Sequence, residues 1–150
     1  MLEINSKCPS FIALDENKNQ IDFNDYLGEK AIVLFFYPKD NTPGCTKEAC
    51  TFRDQYELFT NLDCELLGIS SDGSYSHSSF KEKYKLPFKL LSDPKGELRK
   101  LFKVPNNLFG LIPGRVSYVI DKKGIVKGAF NSQLNPVSHV SKTLKCVKEL

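Results

Sequence analysis

A chain of 150 residues suits one domain with a single core, and 41% hydrophobic with 26% charged residues are globular proportions that exclude a disordered chain. The net charge of +3 is spread along the sequence with no long basic block, which argues against nucleic acid as a partner. The longest apolar run has seven residues, too short to span a bilayer as a helix, and five cysteines are an odd number that does not suit a secreted disulfide framework.

Two short alternating segments, Ser10 to Leu14 and Gln20 to Phe23, flank turn chemistry at Asp15 to Asn19 and predict an N-terminal hairpin. Asn24 to Lys30 is a polar connection. Ala31 to Tyr37 (AIVLFFY) is β-branched and aromatic without polar alternation, as in a central strand covered on both faces. Pro38 ends it, because proline gives a sheet ladder no N–H. A helical pattern runs from Thr42 to about Leu62, with Ala49, Phe52, Tyr56 and Phe59 as its buried stripe. Cys64 to Ser71 reads as a second strand, Ser74 to Lys85 as a helical crossover and Phe88 to Leu91 as a third strand. Ser92-Asp93-Pro94 begins a helix carrying Leu98, Leu101 and Phe102, and Val104 to Pro113 reads as loop. Val116 to Ile120 and Ile125 to Phe130 form a hairpin across Asp121 to Gly124. Pro136 opens a last helix with Val137, Val140, Leu144 and Val147 on one face. Strands alternating with helices predict an α/β fold with a mixed central sheet flanked by helices, as a single domain over residues 1–150.

The chemistry concentrates in Tyr37 to Cys50, YPKDNTPGCTKEAC. Thr42-Pro43-Gly44 reads as a helix start, with a hydroxyl N-cap and proline at the first helical position. Cys45 then falls in the first turn, where unpartnered N–H groups and the positive end of the helix dipole favour an anionic sulfur. Such surroundings make a thiolate nucleophile at neutral pH. An unperturbed thiol at pH 7 is only ~3% ionised, so full ionisation alone gains roughly 30-fold, about 2 kcal/mol. Larger acceleration needs groups that bind the transition state better than the ground state. Thr42 can direct its hydroxyl at a bound oxygen. Lys39 and Lys47 are too solvated to serve as the fixed cation.

Pro38-x-x-x-Thr42-x-x-Cys45 resembles the active-site motif of the peroxiredoxins, thiol peroxidases of thioredoxin-like fold. Cys50, five residues on, resembles the resolving cysteine of the PrxQ or bacterioferritin-comigratory-protein branch, and the stretch from Leu108 to Asn131 is similar to the same branch. The resemblance covers nearly the whole chain. It implies that Cys45 is the peroxidatic thiol, that Cys50 resolves, and that Arg115 is the missing cation, brought across the sheet. Glu48, one turn along the helix, could orient that arginine. The product on Cys45 is then a sulfenic acid, which condenses with a nearby thiol to a disulfide. The family implies hydrogen peroxide and alkyl hydroperoxides as substrates, a thioredoxin-type dithiol as reductant, and no metal, haem or flavin. Cys8, Cys64 and Cys146 read as buried apolar side chains.

A zinc site is a poor fit: C-x4-C has no second pair, and only His77 and His139 could assist. Two other readings remain: a protein thiol–disulfide oxidoreductase, against which the lack of C-x-x-C weighs, and a redox sensor that uses Cys45 and Cys50 as a switch. No leader pattern opens the chain, so a cytoplasmic monomer is expected, or a plastid protein if a transit peptide has been removed.

Overall fold

The computed structural model describes residues 1–107 and 109–150. Leu108, the first residue of the family-like stretch, lies outside the described residues. The strands are β1 (Ile12–Leu14), β2 (Gln20–Asp22), β3 (Ala31–Phe36), β4 (Cys64–Ser70), β5 (Lys89–Ser92), β6 (Asn106–Asn107), β7 (Ile112–Pro113), β8 (Val116–Ile120) and β9 (Val126–Asn131). The α-helices are α1 (Pro43–Thr60), α2 (Ser74–Tyr84), α3 (Glu97–Leu101) and α4 (Pro136–Lys148).

Seven strands form one mixed sheet in the order β2-β1-β5-β4-β3-β8-β9. β3 lies inside it, parallel to β4 and antiparallel to β8. All six of its residues are buried, which is why its sequence is apolar without alternation. Val33 and Phe35 face one core with Phe52, Phe59, Phe80, Phe88 and Val140, contributed by α1, α2, α4 and the residue before β5. Ile32, Leu34 and Phe36 face a second core with Phe11, Phe23, Phe102 and Tyr118. Gly68 of β4 makes room for the first core: a Cβ there would stand 2.8 Å from the Phe35 ring. That ring in turn stacks on Phe52 at 4.5 Å between centroids.

The N-terminal hairpin, the closing hairpin and the last helix form as the sequence predicts. The structure departs from expectation at several points. The strand expected through Phe23 stops at Asp22, whose carboxylate accepts from Asn24 N and starts a 3₁₀ turn at Phe23. The region expected as loop from Val104 to Pro113 contains the small antiparallel pair β6–β7. α3 begins at Glu97 rather than at Ser92, because Asp93 reaches forward and accepts from the backbone N–H of Leu98 and Arg99. Leu101 is largely exposed, leaving Leu98 and Phe102 to pack the core. In α1 the buried face includes Cys45 and Glu48, while Tyr56 is half-buried and donates to Glu65. Tyr118 is buried as expected of a core ring, with its hydroxyl satisfied by the Phe102 carbonyl at 2.6 Å. Among the described residues no helix is long and apolar enough to cross a membrane.

Candidate active site

β3 ends at the centre of the sheet, and the chain turns at Pro38 through five residues into α1. Asn41 takes a positive φ of 63° in that turn. Thr42 is the N-cap residue and Pro43 the first helical residue, as the sequence predicts. The Thr42 hydroxyl does not cap the helix, however. It donates 2.8 Å to the Lys39 carbonyl, back across the turn, so the first-turn N–H groups keep no side-chain partner from this residue. A hydroxyl that donates to a carbonyl still carries lone pairs that can accept from a second group.

Cys45 sits in that first turn, only 2% exposed. Arg115 comes from the segment leading into β8, the neighbour of β3 in the sheet. It immediately precedes β8 rather than opening the strand, and β8 pairs with β3, which carries it to the C-terminal end of β3 beside Cys45. Its Nη2 lies 3.5 Å from Cys45 Sγ and its Nη1 3.2 Å from Glu48 Oε1. Nε donates to the Gln133 carbonyl at 3.3 Å, and the backbone N donates to Gln133 Oε1 at 3.1 Å. The guanidinium is therefore held from two sides with one edge turned to the sulfur. Gly44 leaves it room, since a Cβ there would stand 3.1 Å from Nη2. Lys39 and Lys47 are exposed.

Glu48 is fully buried. Burial pushes its carboxyl up to about 8, and the Arg115 charge and hydrogen bond only partly offset that. Its second oxygen has no hydrogen-bond partner and faces His139 Nδ1 at 3.9 Å. His139 is neutral by the same logic. Its Nε2 donates to the Ser132 carbonyl, leaving Nδ1 to accept from Ser117, and burial lowers its pKa to about 4.

Cys50 is half-buried one and a half turns along the same unbroken helix, and both thiols are free. Burial raises the Cys50 thiol, with Arg53 acting weakly the other way. Cys8 and Cys64 are buried and pushed up to about 12, and Cys146 is raised more modestly, each chiefly by burial. These three have the character of packing residues.

The structure thus brings Thr42, Cys45, Glu48 and Arg115 together at the C-terminal end of β3, with Pro38 at the turn and Cys50 apart. It also contains residues that sequence reasoning missed. Arg99 donates to the Tyr37 carbonyl at 2.7 Å and to the Gly114 carbonyl at 2.9 Å, tying the turn to the residue before Arg115. Gln133 supports Arg115 twice. Neither carries a local signal, because each acts through backbone atoms far away in sequence. Among the described residues, Asp40, Asp72 and His77 are the one trio with potential metal-ligand atoms within 4.8 Å of one another. Both Asp40 oxygens, both His77 ring nitrogens and Asp72 Oδ2 are engaged in hydrogen bonds.

Comparisons with known proteins agree with this geometry. Residues 4–129 match the model of the AhpC/TSA family. A chloroplastic peroxiredoxin Q from Suaeda salsa is 46% identical over 142 residues, which cover 95% of this chain and 66% of that protein. The chain therefore spans just under two thirds of that relative's length. Peroxidoxin BcpB from Mycobacterium tuberculosis superposes with a TM-score of 0.91 at 30% identity, over 100% of this chain and 99% of that one. The bacterioferritin comigratory protein of Xanthomonas campestris, described for its alkyl peroxide reduction activity, superposes with a TM-score of 0.84 at 26% identity, over 93% and 90% of the two chains. The mixed sheet flanked by helices is thus the thioredoxin-like fold of these peroxiredoxins.

Proposed function

The chain belongs to the AhpC/TSA family, in its peroxiredoxin Q branch, and on that basis we propose that it is a thiol peroxidase reducing hydrogen peroxide and alkyl hydroperoxides. Residues 1–150 act as one domain. The Cys45 thiolate attacks one peroxide oxygen, the O–O bond breaks, and the other oxygen leaves with a proton as water or alcohol. Cys45 is then a sulfenic acid. The Cys50 thiol attacks that sulfur, releasing water and closing a Cys45–Cys50 disulfide. A thioredoxin-type dithiol reduces the disulfide and is itself oxidised.

The observation that carries the reading is the Arg115 guanidinium at 3.5 Å from a buried Cys45 sulfur, with its other arm on Glu48. A planar fork in that position can touch both the sulfur and the oxygen that gains charge, and its fixed partners spare reorganisation during reaction. The Thr42 hydroxyl, which donates to the Lys39 carbonyl, is left to accept from the peroxide O–H. Glu48 orients Arg115, and Pro38 ends the strand so that the turn can form. None of these roles calls for a metal, haem or flavin, and monomeric action suffices because both thiols lie on one helix. The chloroplastic setting of the Suaeda salsa relative supports the plastid alternative for where the chain acts.

The test is peroxide consumption with a thioredoxin and reductase system. Wild type should turn over. Cys45→Ser should not, and Cys50→Ser should react once and then stall as a sulfenic acid or over-oxidise. Equal loss of the first turnover in both variants would overturn the assignment of roles. Reaction of wild type with peroxide that never becomes catalytic with any dithiol would favour a sensor.

A further inference from the structure

The turn that presents Thr42 and Cys45 is short and mostly exposed, but one of its side chains points inward. Asp40 is only 4% exposed, whereas Lys39 and Asn41 on either side are in solvent. A buried carboxylate is costly unless its oxygens are met by donors. Here the Tyr37 hydroxyl donates to Oδ1 at 2.6 Å, and Ser76 Oγ donates to Oδ2 at 2.8 Å. His77 Nδ1 lies 2.7 Å from the same Oδ2, and its Nε2 lies 3.0 Å from the Leu91 carbonyl. A carbonyl only accepts, so Nε2 carries a hydrogen, and the short contact at Nδ1 contains a second proton. The Asp40 backbone N–H is held as well, donating 2.8 Å to Asp72 Oδ2, which also accepts from Ser70 Oγ at 2.6 Å.

Thus Tyr37 just after β3, Ser70 at the end of β4, α2 and β5 all supply groups, directly or through Asp72 and His77, that converge on one residue of the turn. Tyr37 and His77 are each exposed by 1% or less. Neither makes a hydrogen bond to Cys45, Thr42 or Arg115, so the polar path from them to the peroxide runs through Asp40 and the backbone of the turn. Two residues after Asp40 comes Thr42, and three after that Cys45. Reacting groups displaced by about 1 Å can lose roughly 100-fold in rate. A turn with a left-handed residue at Asn41 and no other buried side chain after Pro38 depends on this anchor for such precision.

We propose that His77 and Tyr37 are positioning residues for the Cys45 chemistry: gripping Asp40 from two sides, they set Thr42 and Cys45 against Arg115. The proposal rests on the peroxidase reading above. The grip also supplies a fixed end at Asp40, so that unwinding of α1 during disulfide formation stays on the helical side of Thr42.

The experiment follows first-turnover oxidation of Cys45 by hydrogen peroxide in a Cys50→Ser background, trapping the sulfenic acid with dimedone and reading it by mass spectrometry. The rate of alkylation of Cys45 by iodoacetamide is measured in parallel, since alkylation needs a reactive thiol but not the alignment of Thr42 and Arg115 on a peroxide. His77→Gln and Asp40→Asn should each slow peroxide oxidation roughly 10- to 100-fold, with alkylation unchanged or faster. Their combination should be no slower than the slower single variant, because both break one unit. Val147→Ala, a core truncation in α4, controls for lost stability and should keep both rates. Should His77→Gln fail to fold, Tyr37→Phe removes a single hydroxyl and should still lower the ratio of peroxide to alkylation rate several-fold. The proposal is overturned if the variants oxidise at the parent rate, if both rates fall together, or if the two single effects multiply. A parent protein whose Cys45 does not react with peroxide would instead sink the peroxidase reading itself.

Discussion

Closing a Cys45–Cys50 disulfide must break the helix that carries both residues. α1 is continuous from Pro43 to Thr60. Five helical residues rise ~7.5 Å and leave about 8.7 Å between the two Cα atoms, whereas disulfides tolerate roughly 7 Å at most. The segment around Lys47 to Arg53 therefore unwinds, and it includes Ala49 and Phe52, both buried. Phe52 stacks on Phe35 at 4.5 Å and packs against Phe59 at 5.9 Å between centroids. Exposing that ring costs about 2–3 kcal/mol, and its stacking adds roughly 1. Two or so intrahelical hydrogen bonds add about 1 kcal/mol each. The new cross-link restrains the unfolded chain, but a closed loop of about six residues returns only ~2 kcal/mol. The balance is a loss of roughly 3 kcal/mol, which for a chain of this size lowers Tm by roughly 6–12 °C. The assay is a thermal melt of the reduced and peroxide-oxidised forms, with amide exchange measured across Glu48 to Tyr56. The oxidised form should melt lower and exchange faster there. Identical exchange in both redox states would mean that Cys50 is not the resolving thiol. The partner would then be sought at Cys8, Cys64, Cys146 or in a second molecule.

Two further outcomes follow from the buried charges. Arg115→Lys keeps the charge but cannot contact Cys45 and Glu48 at once. It should slow Cys45 oxidation at least ~10-fold and cost roughly 1–2 kcal/mol of stability, because a buried carboxyl loses donors. A rate within about twofold of wild type would refute the role. The pH dependence of stability should carry two opposite signatures. Glu48 has a folded pKa raised from 4.5 to about 8, so its contribution is fully present below the unfolded value and is lost as pH rises toward 8. Wild type should thus lose stability relative to Glu48→Gln between about pH 5 and 8. His139 is lowered from 6.5 to about 4, so its contribution is present above pH 6.5 and is lost as pH falls toward 4. Denaturant melts of wild type, Glu48→Gln and His139→Gln across that range check both signs. A Glu48→Gln difference that is flat with pH would place the carboxylate in an ionised pair instead.

Most of the sheet was legible because apolar periodicity reports burial directly. β3 read as central because it has no polar alternation, and it has buried neighbours on both faces. Cys45 was legible because a helix start is written in a few adjacent residues, and Pro43 occupies its expected place. Arg115 was not legible from pattern. It lies seventy residues from Cys45 and arrives through the β3–β8 pairing, so only the resemblance of its stretch to a family pointed to it. N-cap preference weighs residue type alone, so it predicts a Thr42 side-chain cap that the structure does not form. Here the hydroxyl donates to the Lys39 carbonyl and makes no cap bond with the helix N–H groups.

The Asp40 grip marks a firmer limit. Asp40 reads as an ordinary turn residue, and His77 reads as a polar side chain on a crossover helix. Their pairing exists only because β3, β4 and β5 lie side by side and bring the start of α2 over the turn after β3. On the proposed cycle, the same topology would keep the turn rigid while the helix behind it yields. The turn is tied through Asp40 to α2 and to Asp72 just beyond β4, and through His77 to β5, and none of these contacts involves Cys50. The α1 segment expected to unwind is held by its own backbone bonds, by Phe52, by the Glu48–Arg115 pair and by Arg53, which donates to the Tyr84 carbonyl at 2.7 Å. That arrangement predicts a difference in local stability across Thr42, and differences of this kind set where a fold opens first. A site that must hold its nucleophile still for one step and release it for the next is served by such a boundary, with the anchor upstream of Cys45 and the yielding helix downstream.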